Sequence, residues 1–408
     1  MKFFKQDELK ILWPFYAEIL FGTALWLLTP FFIVYFISIG LSLFQTGILM
    51  AIWTLSALIF EIPTGAIADI YGRKFSVILG WILEGVVIML FLVSTSYWYL
   101  IFLMIMLGLT QTLVSGAYDA WTVDLLKNKK RKELLKSYFT KKQSFFNIAF
   151  IFSGLIGAFF VAYFGLRSVF IVSSLSLFIS SFFLLFGEEI HMRKKFNIRK
   201  KFNLSKSFKE AFSQSKKAIH FSYRHHILFY LLLTSFLMYF ALSFQTFVTW
   251  TPLLKGFDMP DYAFGYVWAL ASVFGIFTPF IASKLLKTKK ERNLLILAAI
   301  LLFVQAILVF YTQNIFILIF LFMFLYGILD FNSPIFSLFF HKHIPQKMRA
   351  TIGSVNGMVI SLAGIIAFPI VGFLVDAVGA RITILVSGIL MIPIIFLYLR
   401  IKEKGNRK

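Results

Sequence analysis

The chain alternates between long apolar segments and shorter polar ones along almost its whole length, and this alternation restricts the folds open to it. Each apolar segment approaches or exceeds the roughly 20 residues that a helix needs to cross a bilayer. Hydrophobic residues make up 60% of the 408 residues and charged residues only 14%, which is too little polar surface for a water-soluble fold. The segments are also too long for barrel strands and do not alternate in polarity. We therefore predict an all-α polytopic membrane protein.

Twelve transmembrane helices are predicted, six on each side of one long polar stretch. We place them at 11–37, 44–68, 75–94, 97–125, 139–164, 167–187, 226–250, 261–283, 293–311, 314–340, 349–376 and 380–400. The predicted domains are an N-terminal six-helix bundle at 1–187, a basic cytoplasmic linker at 188–225, and a C-terminal six-helix bundle with a short basic tail at 226–408. The linker is interpreted as a solvated connection on the membrane surface. A regulatory or partner-binding site within it is the alternative.

The basic residues are distributed very unevenly between the two sides of the predicted bundles. The net charge is +22, with 40 Lys and Arg in total. Only Arg167, Lys255 and Arg381 fall on one side, and the other 37 of the 40 fall on the opposite side. The positive-inside rule therefore places both termini in the cytoplasm. The excess charge reflects topology, with attraction to anionic lipid as a second effect, and we predict no nucleic-acid partner.

The turn between the second and third predicted helices carries a distinctive set of residues. Gly65 permits close approach of another helix, and Asp69 lies one turn further along the same face. Gly72 allows the chain to reverse, and Arg73 and Lys74 hold the turn in the cytoplasm. Asp69 and Arg73 are four residues apart, so we expect them to pair across the turn.

This pattern resembles G-x-x-x-D-x-x-G-R-K, the signature loop of the major facilitator superfamily. The resemblance implies two six-helix bundles that rock around a central cavity, lined by the first, fourth, seventh and tenth helices. Glu61-Ile-Pro63 before the loop is similar to the variant signature of clostridial-type tetracycline efflux transporters. Two features depart from proton-coupled drug transporters of the superfamily: residues 108–112 lack the arginine of the fourth helix, and the fifth helix lacks a Gly-Pro pair.

A faint internal repeat relates the two halves. Gly165 and Arg167 begin the last span of the first half, and Gly379 and Arg381 begin the last span of the second half. Repeated six-helix halves are typical of secondary transporters, whose substrate sites lie near the middle of the membrane.

Five carboxylates fall inside predicted spans: Glu18, Glu61, Glu84, Asp119 and Asp330. An ionised acid in hydrocarbon costs about 2.5–3.5 kcal/mol, so such residues mark candidate proton or cation sites. The resemblance places Glu18, Asp119 and Asp330 on cavity-lining helices. It places Glu84 on a third helix that is usually peripheral, where a structural role is the stronger interpretation.

The function predicted from these features is secondary active transport, not enzymatic catalysis. We expect proton-coupled efflux of neutral or cationic amphipathic molecules, because no Lys or Arg lies well inside a span to bind an anion. Glu61 and Asp119 are the leading candidates for proton coupling. Proton-coupled uptake of a neutral nutrient such as a sugar is the alternative, followed by a lipid flippase and a membrane enzyme or sensor.

The energy source expected for this function is the proton gradient. The sequence contains no phosphate-binding loop for ATP and no ligand set with metal-binding spacing. We therefore predict no cofactor and no metal. The predicted partners are a small-molecule substrate, protons and the lipid bilayer, and the protein is predicted to be a monomer in the cell membrane.

Overall fold

The structure, a computed structural model, describes residues 4–189, 226–344 and 348–401, and every regular element in those ranges is a helix. The helices of the first half are α1 (Glu8–Ala17), a π-helical turn (Glu18–Gly22), α2 (Thr23–Leu25), α3 (Leu28–Ser38), α4 (Leu43–Tyr71), α5 (Arg73–Leu90), α6 (Tyr97–Asn128), α7 (Leu134–Phe164) and α8 (Arg167–Leu185). Those of the second half are α9 (His226–Ser243), α10 (Phe247–Lys255), α11 (Ala263–Leu285), α12 (Glu291–Tyr311), α13 (Ile315–Lys342), α14 (Arg349–Val378) and α15 (Ala380–Arg400).

Eleven membrane-crossing candidates are present in the described part of the chain, each long and apolar enough to span a bilayer. They coincide with eleven of the predicted spans, and three short helices and the π-helical turn combine into the first one, Glu8–Ser38. Helix α5 is not among these candidates, because its 18 residues include three charged side chains, Arg73, Lys74 and Glu84, and are therefore less apolar. The count of twelve spans and the cytoplasmic position of both termini therefore stay predictions.

The chain forms two compact units. Among described residues, the first unit contains 4–35, 52–189 and 261–269, and the second contains 36–51, 226–260, 270–344 and 348–401. Each unit thus takes most of its residues from one half of the chain, and two short segments, 36–51 and 261–269, pack with helices of the other half. The predicted linker lies outside the described residues except for Glu188 and Glu189.

Aromatic side chains form the core of the first unit at one end of its helices. Phe15 on α1 is fully buried, and its ring centroid lies 4.8 Å from that of Trp121 and 5.8 Å from that of Tyr118, both on α6. Tyr138 on α7 contacts the same ring from another side, at 6.4 Å. Edge-to-face contacts of this kind add about 0.5–1.5 kcal/mol each to the burial of the rings. They fix α1 against α6 and α7.

In the second unit, α9 packs against α14 and α15, and α12 packs against α13 and α15. The seventh predicted span is interrupted here, because α9 ends at Ser243 and α10 begins at Phe247. Gln245 lies in the interruption, and its side-chain amide donates to Ser387 Oγ on α15 at 3.1 Å.

The N-terminus of α4 also belongs to the second unit. The backbone N–H groups of Leu43 and Phe44 donate to the carboxylate of Asp376 at 3.1 and 2.8 Å. This carboxylate caps the N-terminus of α4, a favourable position for a negative charge.

The repeat predicted from the sequence is visible in the backbone. Gly165 and Gly379 both adopt positive φ angles, 75° and 84°, and each separates the last helix of its half from the helix before it. The same conformation at both positions supports a common plan for the two halves.

Helices α7 and α11 meet backbone to backbone within the first unit. A Cβ atom at Gly154 would lie 2.5 Å from the carbonyl oxygen of Gly265, and a Cβ at Gly265 would lie 2.3 Å from that of Gly154. Ala158 and Ala269 follow one turn after these glycines and contact the opposite helix. Small residues four apart on both helices permit this close crossing, as in other helix pairs inside membranes.

Gly154→Ala is expected to destabilise the protein, because the added methyl group has no space against the Gly265 backbone. Overpacking of this kind costs about 1–3 kcal/mol. The measurement is the thermal unfolding midpoint of the purified protein in detergent. Gly116→Ala on α6 is the matched control, since no atom lies within 4 Å of a Cβ built there. An unchanged midpoint for Gly154→Ala would contradict the close crossing.

Candidate functional site

A cavity of about 330 Å³ lies inside the first unit. It is lined by residues of the first span and of α5, α6, α7 and α8, namely Glu18, Gly22, Thr23, Trp26, Trp81, Glu84, Gln111, Val114, Ser115, Phe146, Phe150, Ser176, Leu177 and Ser180. Two of these lining residues are acidic and none is basic. The volume lies at the lower end of the range for small-molecule sites.

The first span is distorted where it borders the cavity. A π-helical turn runs from Glu18 to Gly22, a feature that is rare and often found at functional sites. The helix then breaks at Trp26, whose ψ angle is 83°, and resumes at Leu28 as α3. Broken helices inside membranes are tolerated where neighbouring groups satisfy the freed backbone and where the break borders a cavity.

Two serines from neighbouring helices satisfy the backbone groups that the break leaves open. Ser153 on α7 donates to the carbonyl oxygen of Trp26, and the N–H of Leu27 donates to Ser173 Oγ on α8 at 3.0 Å. The Trp26 indole N–H donates to Thr29 Oγ1 at 3.0 Å. The break is thus held in a defined geometry, with Thr23 and Trp26 on the cavity wall.

Glu18 is buried, with 6% of its surface exposed, and one carboxylate oxygen has a strong partner. The hydroxyl of Tyr118 donates to Glu18 Oε2 at 2.6 Å. Gly22 makes room beside this acid, because a Cβ there would lie 1.9 Å from Ser180 Oγ and 3.5 Å from Glu18 Oε1. The acid, the phenol and the serine are therefore packed into one polar corner of the cavity.

Glu84, on α5, is half-buried and lines the same cavity. Hydrogen bonds from side chain to backbone fix α5 in place: Ser76 donates to the carbonyl oxygen of Leu113, and Ser174 donates to that of Gly85, both at 2.7 Å. Among the residues that the structure describes, no hydrogen bond or ion pair reaches the Glu84 carboxylate. The cavity therefore contains one carboxyl group held by a phenol and one without a protein partner.

The other predicted acids lie away from this cavity. Asp119 is exposed and forms an ion pair with Lys142 of α7, and Glu61 is exposed on α4. Asp330 belongs to the second unit, where it is partly buried and lies against Gly275 of α11. Within the first unit, the structure thus brings Glu18 and Glu84 to one cavity, and it does not bring Glu61 or Asp119 to them. In the described ranges, no three His, Cys, Asp or Glu residues form a group that could hold a metal.

Lys142 contacts the ring of Tyr118, the hydrogen-bond partner of Glu18. The Lys142 ammonium lies 4.8 Å from the centre of the Tyr118 ring while it pairs with the exposed Asp119. The Tyr118 hydroxyl bonds Glu18, and the Lys142 ammonium contacts the face of the same ring. The exposed ion pair of Lys142 and Asp119 therefore lies next to the residue that holds the buried acid.

The contacts observed in the signature loop differ in part from those predicted from the sequence. Gly72 reverses the chain with a φ angle of 101°, as predicted. However, Arg73 bonds Asp124 and the carbonyl oxygen of Ala120 on α6, not Asp69. The reversal at Gly72 ends α4, so residues 69 and 73 no longer share a helical face. The close helix contact expected at Gly65 is also not seen in the described part of the chain, where no atom of another element lies within 4 Å of a Cβ built at this position.

Lys74 forms further hydrogen bonds between helices at this end of the first unit. Its ammonium donates to the carbonyl oxygens of Leu185 and Gly187 at 2.7 and 2.8 Å. Together with the Arg73 contacts to α6, these bonds join the start of α5 to the ends of α6 and α8. Within the described residues, the two bases therefore hold helices of one unit together.

Several cavity residues were not identified from the sequence, although a signal was present. Ser173, Ser176 and Ser180 follow one face of α8 at helical spacing, and all three are buried. Gln111 and Ser115 are likewise one turn apart on α6 and line the cavity. A polar stripe with a helical period inside an apolar span indicates a polar interior surface.

Comparisons with known proteins agree with this architecture. Residues 15–368 match the family model described as Major Facilitator Superfamily. The chain is 24% identical over 393 residues to the uncharacterized MFS-type transporter YxaM from Bacillus subtilis (strain 168), and the alignment covers 94% of each chain.

Solved structures of transporters share the fold. A mutant form of the nucleoside transporter NupG superposes with a TM-score of 0.77 at 15% identity, covering 95% of this chain and 98% of that one. A D-xylose-proton symporter superposes with a TM-score of 0.70 at 12% identity, covering 98% of both chains. With the family match across most of its length, the chain is a membrane transporter rather than an enzyme, and it belongs to the Major Facilitator Superfamily.

Proposed function

We propose that the protein is a secondary active transporter that exchanges protons for a neutral or cationic amphipathic molecule, with Glu18 as the coupling acid. The observation that carries this proposal is the position of Glu18, which is buried beside the cavity and hydrogen-bonded to Tyr118. An acid inside a membrane protein interior marks a proton or cation pathway.

The charge of the cavity supports the choice of substrate. Its lining includes Glu18 and Glu84 and no Lys or Arg, so an anionic group would enter without a compensating charge. Carriers of phosphates and carboxylates offset the desolvation of the anion with basic residues. We therefore propose that compounds with a fixed negative charge are excluded.

The remaining features of the proposal follow the sequence prediction. The protein works as a monomer in the cell membrane, with twelve spans and both termini in the cytoplasm. The proton gradient supplies the energy and no cofactor takes part. The similarity of Glu61-Ile-Pro63 to tetracycline efflux transporters favours the efflux direction.

A second candidate is uptake of a neutral polar molecule by proton symport. Two observations favour it. The cavity offers the Gln111 amide and the hydroxyls of Ser115, Ser176 and Ser180, which suit a hydroxyl-bearing ligand. In addition, structures with the same fold include a nucleoside transporter and a D-xylose-proton symporter.

The sign of the proton movement distinguishes the two candidates. Proteoliposomes with a pH-sensitive dye inside are given an external quaternary ammonium compound, a nucleoside, a sugar or a carboxylate. Antiport makes the lumen more alkaline as the substrate enters, whereas symport makes it more acidic. A quaternary ammonium compound is used because an ordinary amine crosses the bilayer as the free base and changes the pH without a carrier.

Protein-free liposomes provide the baseline for each compound. We expect alkalinisation with the quaternary ammonium compound and no response to the carboxylate. Saturable transport of any compound without a pH change above the baseline would show that proton coupling is wrong. Saturable transport of the carboxylate would refute the proposed charge selectivity.

A further inference from the structure

We propose that the two acids of the cavity have different tasks: Glu84 binds the positive charge of an organic ammonium substrate, and Glu18 carries the proton. This inference rests on the proposed transport function and specifies the substrate class of the same cavity. It differs from the sequence interpretation, in which Glu84 has a structural role.

The first argument is the difference between the partners of the two acids. Glu18 Oε2 accepts the short hydrogen bond from Tyr118, whereas no described residue donates to the Glu84 carboxylate. A carboxylate removed from water without a partner is costly. A ligand ammonium that enters the cavity supplies the missing partner, with a charge-assisted hydrogen bond or direct ion pair.

The second argument is the aromatic lining of the cavity. Trp81 precedes Glu84 by one helical turn, so both side chains project from the same face of α5, and both line the cavity. Trp26, Phe146 and Phe150 form other parts of the wall. Tryptophan faces attract ammonium groups, and substituted ammonium ligands are commonly recognised by such aromatic surfaces.

The third argument is the difference in access to the two acids. Glu18 has only 6% of its surface exposed, and one of its oxygens already accepts from Tyr118, whereas Glu84 is only half-buried. A proton can reach an acid as enclosed as Glu18 more readily than an organic ammonium group can. The cavity is small, about 330 Å³, so the ligand is a compact ammonium compound with one aromatic or aliphatic body.

The test compares binding of a cation with binding of its neutral isostere. The probes are phenethyltrimethylammonium and 3,3-dimethyl-1-phenylbutane, in which a carbon atom replaces the charged nitrogen. Binding is measured by titration calorimetry on the full chain in detergent, with titrations into protein-free micelles subtracted. We expect the parent to prefer the cation by at least about tenfold, which matches the strength of a desolvated cation–π contact added to the attraction of the carboxylate.

The variants assign this preference to one acid. Glu84→Gln is expected to reduce the ratio of the two dissociation constants to the part that the aromatic lining contributes, and Glu18→Gln to keep it. Glu84→Asp, which keeps the charge, should retain part of the preference and serves where Glu84→Gln fails to fold. Glu61→Gln, an exposed acid outside the cavity, is the matched control and should bind like the parent.

Three results would overturn the inference: no preference for the cation in the parent, an unchanged preference in Glu84→Gln, or its loss in Glu18→Gln. The outcome is separable from that of the transport proposal. Cation binding through Glu84 without proton-coupled transport would refute the proposed function alone, and proton-coupled transport without a cation preference would refute the present inference alone.

Discussion

Glu18→Gln is expected to abolish proton-driven accumulation of substrate while leaving energy-independent exchange intact. The amide fills the same space in the polar corner formed with Tyr118 and Ser180, but it cannot take up or release a proton. A carrier without its coupling acid can still move substrate in both directions, so counterflow in proteoliposomes should persist. Accumulation against a gradient, driven by an imposed pH difference, should fall to the level of passive exchange.

Two further variants test whether the effect belongs to Glu18. Tyr118→Phe removes the hydrogen bond to Glu18 but keeps the acid, so proton-driven transport should be reduced without being lost. Glu61→Gln should accumulate substrate like the parent, because Glu61 is exposed and does not line the cavity. Full accumulation by Glu18→Gln, or its loss in Glu61→Gln, would instead favour the sequence interpretation, in which Glu61 and Asp119 couple transport to protons.

The contrast between these acids shows how far the sequence can be interpreted on its own. The length and polarity of the apolar segments predicted the helical membrane fold and eleven of the span positions, because both follow from the solvent that surrounds each segment. Which acids share a cavity depends on how each helix is rotated and packed. Glu84 illustrates this, because two hydrogen bonds set the position of its helix. Ser76 of α5 donates to the carbonyl oxygen of Leu113 on α6, and Ser174 of α8 donates to that of Gly85 on α5.

The break in the first span has a local signal that the sequence analysis did not use. Pro30 lacks the N–H that would bond the carbonyl oxygen of Trp26, four residues earlier, so a helix is weakened at this point. What local sequence does not show is which groups satisfy the open backbone. The break at Trp26 is satisfied by Ser153 and Ser173, which lie more than 120 positions away in the chain. Only tertiary structure brings these hydroxyls to the open backbone groups.

Glu8 and Lys141 form a buried ion pair that the sequence analysis did not identify. Glu8 is fully buried, and its Oε1 accepts from the Lys141 ammonium at 2.7 Å. The Tyr16 hydroxyl and the Ser137 hydroxyl donate to the same oxygen at 2.8 and 3.0 Å. The backbone N–H of Lys5 donates to Oε2 at 2.8 Å. The pair thus fastens the beginning of α1 to α7.

Lys141→Met is expected to destabilise the protein by about 3–5 kcal/mol, because it leaves a buried carboxylate without its counter-charge. Replacing both partners, in Glu8→Gln with Lys141→Met, should cost less, since neither charge is then buried and the amide oxygen can still accept hydrogen bonds from Tyr16 and Ser137. Asp119→Asn is the contrasting control: it breaks the neighbouring but exposed pair with Lys142, and exposed pairs contribute at most about 1 kcal/mol.

Chemical unfolding of the purified protein in detergent measures all three variants on one scale. The order expected for the loss of stability is Lys141→Met first, then the double variant, then Asp119→Asn. A double variant as unstable as Lys141→Met would mean that the buried pair contributes net stability of its own, beyond avoiding an unpaired charge. Equal, small losses for Lys141→Met and Asp119→Asn would instead show that water reaches Glu8, because a solvated carboxylate does not need the lysine.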